Sequence, residues 1–437
     1  MQKDIPKNPL TADILLSMLR PKESPTGPLT QGKGRTRGVE LASKQEVVAK
    51  RRPIVWEPTL DEAERRWADL AASLTATEFA PRAAELDREQ RYARENAAQL
   101  RKAGIDRMFL PTSVGGGGAS LTAYVAVVEA IARGCASTSG IVATLQLGAY
   151  PLLLTRNEAL RRRHLGAVAR EGQSVSFALS EREAGSDPSG MTTTAVREGA
   201  GWRIRGEKCW IGSGGVASKY VVFAQTEPGA GRKGIAAFLV EADAEGVDDD
   251  EFEDKMGMRG TTTATIRFDT WVDEDSVVAP PGEGLKVALQ GLNIGRIGVA
   301  AQSCGIGFAA YEAAVGRAVG RQTFGKLLIE HQAIGFRLAD LATWLSAARM
   351  LAYEAAAAYD RGEDVAVIGA QAKLFASETA HEAVDTAVQV FGGAGYVKPN
   401  LVERLYRDQR VTEIYEGTSE IQRLVLARAI RQAAEEA

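Results

Sequence analysis

The chain has 437 residues, enough for two or three domains with sizeable cores, and 45% hydrophobic with 25% charged residues is the composition of an ordinary globular protein. Its net charge of −3 gives no global attraction to nucleic acid or to a membrane surface.

Residues 1–56 stand apart in composition, with Pro, Gly and Thr clusters and a local excess of Lys and Arg. They read as a basic, largely flexible extension, in which "TADILLSMLR" sets Ile14, Leu15, Met18 and Leu19 at helical spacing. A solvated tail and a tether to a partner or to an oligomer both fit this pattern. From 57 to 175 the period is helical. "TLDEAERRWADLAASL" opens on Thr59 as a cap with acids in its first turn. "PTSVGGGGAS" then breaks the pattern, and "LTAYVAVVEAIARGCASTSGIVATLQLGAYPLLLT" reads as two apolar, closely packed helices.

From 176 to 280 short runs rich in β-branched and aromatic residues, such as "SVSFALSE", "GWRIRGEKCWIG" and "KYVVFAQTE", are separated by Gly, Pro and Asp. They predict a compact β-domain. From 281 to 437 the helical period returns in long apolar segments, two of them expected to exceed 20 residues, and a last helix follows "YEGTS", capped by Thr418 or Ser419. The class is α+β, mostly α: an N-terminal helical domain, a middle β-barrel or sandwich, and a C-terminal helical bundle. There is no βαβ alternation, no GxGxxG after a strand, no Walker A motif and no GxSxG elbow.

Cys135, Cys209 and Cys304 are far apart, form no CxxC pair and leave one over, which points to a reducing cytoplasm with neither disulfides nor a zinc site. His164, His331 and His381 are isolated and read as structural, so no metal is expected. No apolar run approaches the roughly 20 residues of a membrane span, and the N-terminus lacks the apolar core of a signal peptide.

Four stretches carry the chemistry. In "FALSEREAGSDPSG" a strand ends in a polar loop whose small residues and backbone N–H groups suit a phosphate, although a plain turn fits equally. "KCWIGSGG" runs a Trp-bearing strand into a Gly-rich turn, "RQTFGKLLIEHQ" is a basic and aromatic helix junction, and "QVFGGAGYVK" precedes "YRDQRVTEIYEGTSEIQ". A double glycine there allows backbone to lie close to a ligand or another chain. Alone, each has a bland reading: a turn, a core Trp, a solvated helix end, an acid before a cap.

In this order, over residues 60–434, the four stretches resemble the acyl-CoA dehydrogenase family. The resemblance implies helices, a middle β-domain and a four-helix bundle, assembled as a homotetramer (or dimer) with FAD near subunit interfaces. It places Phe177, Leu179 and Ser180 at the flavin pyrimidine, and Gly185 and Ser186 where cofactor and the acyl-CoA phosphate region meet. Trp210 and Ile211 flank the isoalloxazine, and Arg321 and Phe324 reach the FAD of a neighbouring subunit. Arg suits that role because its fork pairs phosphate oxygens with two N–H groups. Gln389, Gly392 and Gly393 match the stretch on the adenosine half, Thr418 and Glu420 a clamp over the same cofactor, and Arg259 an arginine that holds the CoA part. Glu416 matches the catalytic base.

The implied reaction is α,β-dehydrogenation of an acyl-CoA thioester. The α-proton is weakly acidic, so its removal needs a positioned base and stabilisation of the enolate oxygen; the β-hydrogen leaves as hydride to flavin N5, giving the trans-2-enoyl thioester. An electron-transfer flavoprotein is the implied acceptor. Some members carry the base just before the arginine of "LNIGR"; here that position is Gly295, which leaves Glu416 without a rival. Two departures stand out. The family's Thr or Ser after "WI" is Gly212, leaving the contact near N5 to backbone, to Ser213 or to nothing. Arg182 and Glu183 replace Pro and Gly in "SEREAGSD". Alternatives on the same fold are an acyl-carrier-protein-linked dehydrogenase, an acyl-CoA oxidase, and a non-catalytic interaction protein.

Overall fold

The computed structural model describes residues 54–436, so the expected helix at "TADILLSMLR" and most of the extension lie outside the described residues. Where the description begins, the chain is already part of the body. Val55 and Trp56 pack on the core, the Trp56 N–H donates to Ser346 Oγ at 3.0 Å, and its carbonyl accepts from Arg349 Nη1 at 3.0 Å. Assigning residue 56 to a flexible extension is therefore corrected.

The N-terminal helices are α1 (Glu62–Leu74), α2 (Ala80–Glu89), α3 (Arg94–Ala103), α4 (Leu121–Gly134), α5 (Ala136–Leu154) and α6 (Glu158–Glu171). The cap of α1 is Asp61, not Thr59. Asp61 Oδ1 accepts from Glu64 N at 2.8 Å while Glu64 Oε2 accepts from Asp61 N at 2.9 Å, so this pair satisfies two end N–H groups that a lone threonine could not. α4 and α5 separate at Cys135, whose backbone is extended.

Eight strands follow: β1 (Val175–Ala178), β2 (Thr194–Glu198), β3 (Gly201–Gly212), β4 (Lys219–Gln225), β5 (Ile235–Glu241), β6 (Val247–Phe252), β7 (Thr263–Asp273) and β8 (Val277–Ala279). They form one sheet in the order β6-β7-β3-β2-β4-β5-β8, with β1 parallel to β4. β4 shows why both faces are covered. Val221 and Phe223 join one apolar cluster with α5, α6 and the next helix, while Tyr220, Val222 and Ala224 join another with Ile204, Phe238 and Ile266. Antiparallel β3 and β7 slip register between Lys208 and Ile211, a bulge that turns Trp210 outward.

The C-terminal helices are α7 (Gly284–Gly320), α8 (Gln332–Asp360), α9 (Ala366–Phe391), α10 (Leu401–Gln409) and α11 (Ser419–Glu436). Three of these, not two, exceed 20 residues, at 37, 29 and 26. Small residues bring α7 close to its neighbours: a Cβ at Gly305 would meet the Glu129 carbonyl of α4 at 2.4 Å. α7 is the axis of the helical core, shared with α4, α5, α8 and α9.

Candidate active site

Glu416 ends the turn between α10 and α11 with φ 55, followed by Gly417 at φ 89. A left-handed Glu is uncommon, and here the surrounding groups hold it. Its carbonyl accepts from Arg296 Nε at 3.4 Å and from Gln422 Nε2 at 3.2 Å. The Gly417 carbonyl accepts from Gln422 Nε2 at 2.7 Å and from Lys373 Nζ at 2.8 Å. Gln422 and Lys373 are fully buried. Thr418 caps the following helix by accepting from Ile421 N at 3.4 Å.

The backbone of the turn is pinned, whereas its carboxyl is left free. Glu416 Oε2 is buried without a hydrogen-bond partner, and among the described residues neither Arg296 nor Lys373 forms an ion pair with it. Burial pushes the Glu416 carboxyl up to about 7, against the opposing pull of Arg296 and Lys373. Such a group can take up a proton near neutral pH.

The carboxyl lies against α7. A Cβ at Gly295 would come within 2.6 Å of Glu416 Oε2, so any side chain at Gly295 competes with it for the same space. Gly291 and Gly298 continue the same helical face at one-turn spacing. A Cβ at Gly291 would touch Leu147 and Tyr150 at 3.7 Å and Phe177 at 3.8 Å, and one at Gly298 would touch the Tyr124 hydroxyl at 2.9 Å. This glycine face links β1, the Glu416 carboxyl and Tyr124. Tyr124 Oη is also buried without a partner, and burial, reinforced by Glu416, raises its pKa so that it stays a neutral phenol. Tyr415 is held by its hydroxyl on Gln302, whose amide in turn donates to Ser139 Oγ at 2.8 Å.

β1 and the bulged end of β3 face the same region. Phe177 packs on Phe223, and the carbonyls of Leu179 and Ser180 accept from Lys208 Nζ and Cys209 N, each at 3.0 Å. Lys208 and Glu181 form a buried ion pair at 2.8 Å. Glu181 also accepts from Thr192 N and Thr193 N, and despite burial Lys208 and these donors bring it down to about 2. Trp210 (φ 59) is 50% exposed, Ile211 is buried, and Ser213 (φ 60) is buried in the turn. Gly212 packs closely on α5: a Cβ there would sit 3.2 Å from Thr144 Oγ1, tighter than an ordinary van der Waals contact. An exposed indole on a left-handed backbone beside a buried, unpartnered Thr262 hydroxyl suits a flat, polar-edged ring.

Gly185 and Ser186 are exposed in the loop after β1. Arg259 is half-buried with Nε unpartnered, on a turn held by Asp408, which accepts from Met258 N at 2.6 Å, and by Ser137, which accepts from Gly260 N at 3.0 Å. Glu420 is exposed on the first turn of α11. Arg321, Phe324, Gln389, Gly392 and Gly393 are not brought to this site. They are exposed at the opposite end of α7, where the Arg317 guanidinium lies 5.5 Å over the Phe391 ring. At 1.5 Å per residue, Gly295 and Arg321 are about 39 Å apart along the helix.

Sequence reasoning missed Gly291, Gly298, Tyr124, Arg296, Lys373 and Gln422. One signal was available: glycines at i, i+4 and i+7 in "GLNIGRIG", a face kept bare along a helix.

The helices flank a β-domain on both sides, and the candidate site lies where β1, the end of β3 and α7 come together. Family models for the acyl-CoA dehydrogenase N-terminal, middle and C-terminal domains match residues 61–172, 176–271 and 282–431, and the chain belongs to the acyl-CoA dehydrogenase family. It is 42% identical over 360 residues to a probable acyl-CoA dehydrogenase of Mycobacterium tuberculosis, covering 82% of this chain and 92% of that relative. It is 41% identical over 353 residues to the human mitochondrial short-chain specific acyl-CoA dehydrogenase, covering 80% and 85%. The solved structure of butyryl-CoA dehydrogenase from Megasphaera elsdenii matches with a TM-score of 0.83 at 35% identity, covering 86% of this chain and all of that one. Among the described residues no helix is long and apolar enough to cross a membrane.

Proposed function

We propose that the protein is an FAD-dependent dehydrogenase that converts an acyl-CoA thioester to its trans-2-enoyl-CoA, with Glu416 as the base that removes the α-proton. The observation that carries this reading is the Glu416 carboxyl: one oxygen buried and unpartnered, lying over Gly295, with its pKa pushed up to about 7 by burial. Bound FAD supplies the acceptor for the β-hydrogen, which departs as hydride. Phe177, Leu179, Ser180, Trp210, Ile211 and Ser213 would hold the flavin end, Thr418 and Glu420 would close over it, Gly185 and Ser186 would lie where cofactor and the CoA phosphates meet, and Arg259 would hold the CoA side. Pinning the Glu416 carbonyl leaves the side chain to swing only about its own bonds, so the base meets the α-carbon in a restricted geometry. The Glu416 N–H is one donor for the enolate oxygen.

The far-end residues fit the same reading only if a second copy is present. Arg321 and Phe324 are too distant to reach the flavin that their own chain's Glu416 faces, so we assign them, with Gln389, Gly392 and Gly393, to the FAD of a neighbouring subunit in a homotetramer. Phe324 at 97%, Tyr396 at 85% and Ile430 at 71% exposure are apolar surface that such a neighbour would cover; a solution mass of one chain would refute the assembly. We take an electron-transfer flavoprotein as the acceptor and, from three free cysteines, a reducing cytoplasm as the compartment.

The test is Glu416→Gln, which keeps size and removes the base. It should bind FAD at the wild-type level and slow flavin reduction by acyl-CoA by at least about a hundredfold, from the loss of general-base catalysis. Reduction at the wild-type rate would show that Glu416 is not the base.

A further inference from the structure

Lys373 sits within α9, fully buried among alanines such as Ala370, Ala372 and Ala376. A buried ammonium ordinarily pairs with a carboxylate. Lys373 instead donates to a backbone carbonyl, Gly417 O, at 2.8 Å. The other anions around it already have cations: Glu413 pairs with His381 at 2.8 Å and Arg410 at 3.0 Å, and Glu378 pairs with Arg423 of α11 at 2.8 Å. Facing Glu416 are Arg296 from α7, Lys373 from α9, and the two phenols Tyr124 from α4 and Tyr415 beside it. Glu416 is therefore the one anion in this group without a direct cationic partner.

We propose that Lys373 is a positioning residue of the reaction: it pins the turn that carries Glu416, and its charge sets the pH at which that carboxylate is ready to accept the proton. The inference rests on reading Glu416 as the base. The carbonyl anchor matters because it fixes the ammonium near the carboxyl but off it. A direct ion pair would hold the carboxyl well below the usual carboxylate range and weaken it as a base; with no cation nearby, burial would leave it protonated at neutral pH. The observed directions fit this compromise: burial raises Glu416 against Arg296 and Lys373, and burial lowers Lys373 to about 8 against the pull of Glu416 and Glu413.

Lys373→Gln keeps an amide donor for Gly417 O and removes the charge; Lys373→Arg keeps the charge; Lys373→Met, apolar and of matching length, repeats the neutral comparison. The assay is anaerobic single-turnover flavin reduction by butyryl-CoA from pH 5.5 to 9.5 in the FAD-loaded enzyme. Losing a nearby cation should raise the midpoint of the rate profile by about one pH unit in Lys373→Gln and Lys373→Met, slowing reduction roughly fivefold at pH 7 and little at pH 9. Lys373→Arg should keep the wild-type midpoint. A second readout needs no turnover: the pH at which the Glu416-dependent part of apoprotein stability is lost should rise by the same amount in Lys373→Gln. Lower flavin content or melting temperature with an unmoved midpoint would overturn the inference. If Glu416→Gln reduces flavin normally, the base assignment fails; if it is slow while the Lys373 profiles stay put, only the role of Lys373 fails.

Discussion

Gly295→Ala separates the placement of the Glu416 carboxyl from the stability of the fold. The added Cβ would stand 2.6 Å from Glu416 Oε2 and 2.9 Å from its Cδ, and nothing else is within 3.4 Å of it. The obstacle is the end of a flexible side chain, so the carboxyl moves and the helix stays. Bringing the contact out to 3.4 Å, the near edge of ordinary van der Waals range, displaces the carboxyl by about 0.8 Å. Misplacing a reacting group by about 1 Å can cost a factor of roughly a hundred, so flavin reduction should slow by about 10- to 100-fold. Alanine inside α7 should meanwhile stabilise the helix by up to ~1 kcal/mol relative to glycine. Stopped-flow bleaching of the flavin by acyl-CoA, read beside a urea melt, gives both numbers. A Gly295→Ala enzyme with wild-type reduction rate would refute the placement of the base over Gly295. One that is slow because it is less stable would refute the packing argument.

Glu416 should also mark the pH dependence of the apoprotein. Its folded pKa of about 7 lies above the ordinary 4.5, so its contribution to stability is fully present below pH 4.5 and is lost as pH rises through 7. Glu416→Gln should match wild type in urea melts at pH 4.5 and exceed it by up to ~3 kcal/mol at pH 8.5, at 1.36 kcal/mol per unit; equal stability at both pH values would show that the carboxyl is not desolvated. Lys208→Met breaks the buried pair with Glu181 and strips the donor from the Leu179 carbonyl. Removing one partner of such a pair costs about 3–5 kcal/mol, which should appear in the urea midpoint together with weaker FAD retention; a loss under about 1 kcal/mol would mean that Thr192 and Thr193 alone satisfy Glu181.

The three-part layout was legible because periodicity is local: β4 reads as a strand and α7 as a helix from their own residues. Glu416 stood out as the candidate base because the rival position, Gly295, is a glycine, and the structure fills the space beside that glycine with the Glu416 carboxyl. The groups that hold Glu416 were not legible. Lys373 in "AQAKLFASE" reads as an ordinary polar residue on an amphipathic helix, and its acceptor lies 44 residues away. Lys208 in "KCWIG" hides the same way, with its partner 27 residues upstream. The Thr59 cap failed on a local competition that the sequence contains: Asp61 has Glu64 three residues on, a reciprocal box that outweighs a single hydroxyl.

The glycines of α7 fall into two kinds, and the difference separates fold from site. Where a Cβ at Gly305 would meet the backbone of α4 at 2.4 Å, the neighbour cannot yield, and glycine is there to let two helices touch. At Gly295 and Gly298 the nearest atoms are the ends of side chains, Glu416 Oε2 and Tyr124 Oη, both buried and both unpartnered. Each glycine costs a helix about 1 kcal/mol relative to alanine. Packing explains that cost at Gly305, because the helices could not otherwise approach. It does not explain Gly295, where a shift of the flexible Glu416 side chain would admit alanine, while at Gly298 the Tyr124 phenol ring occupies the space. What those two positions preserve is room for polar groups without protein partners. A buried carboxyl and a buried phenol without protein partners are rare enough to call for a reason, and a catalytic role is one of them. On the reading proposed for this site, that role is Glu416 taking the α-proton of the acyl thioester.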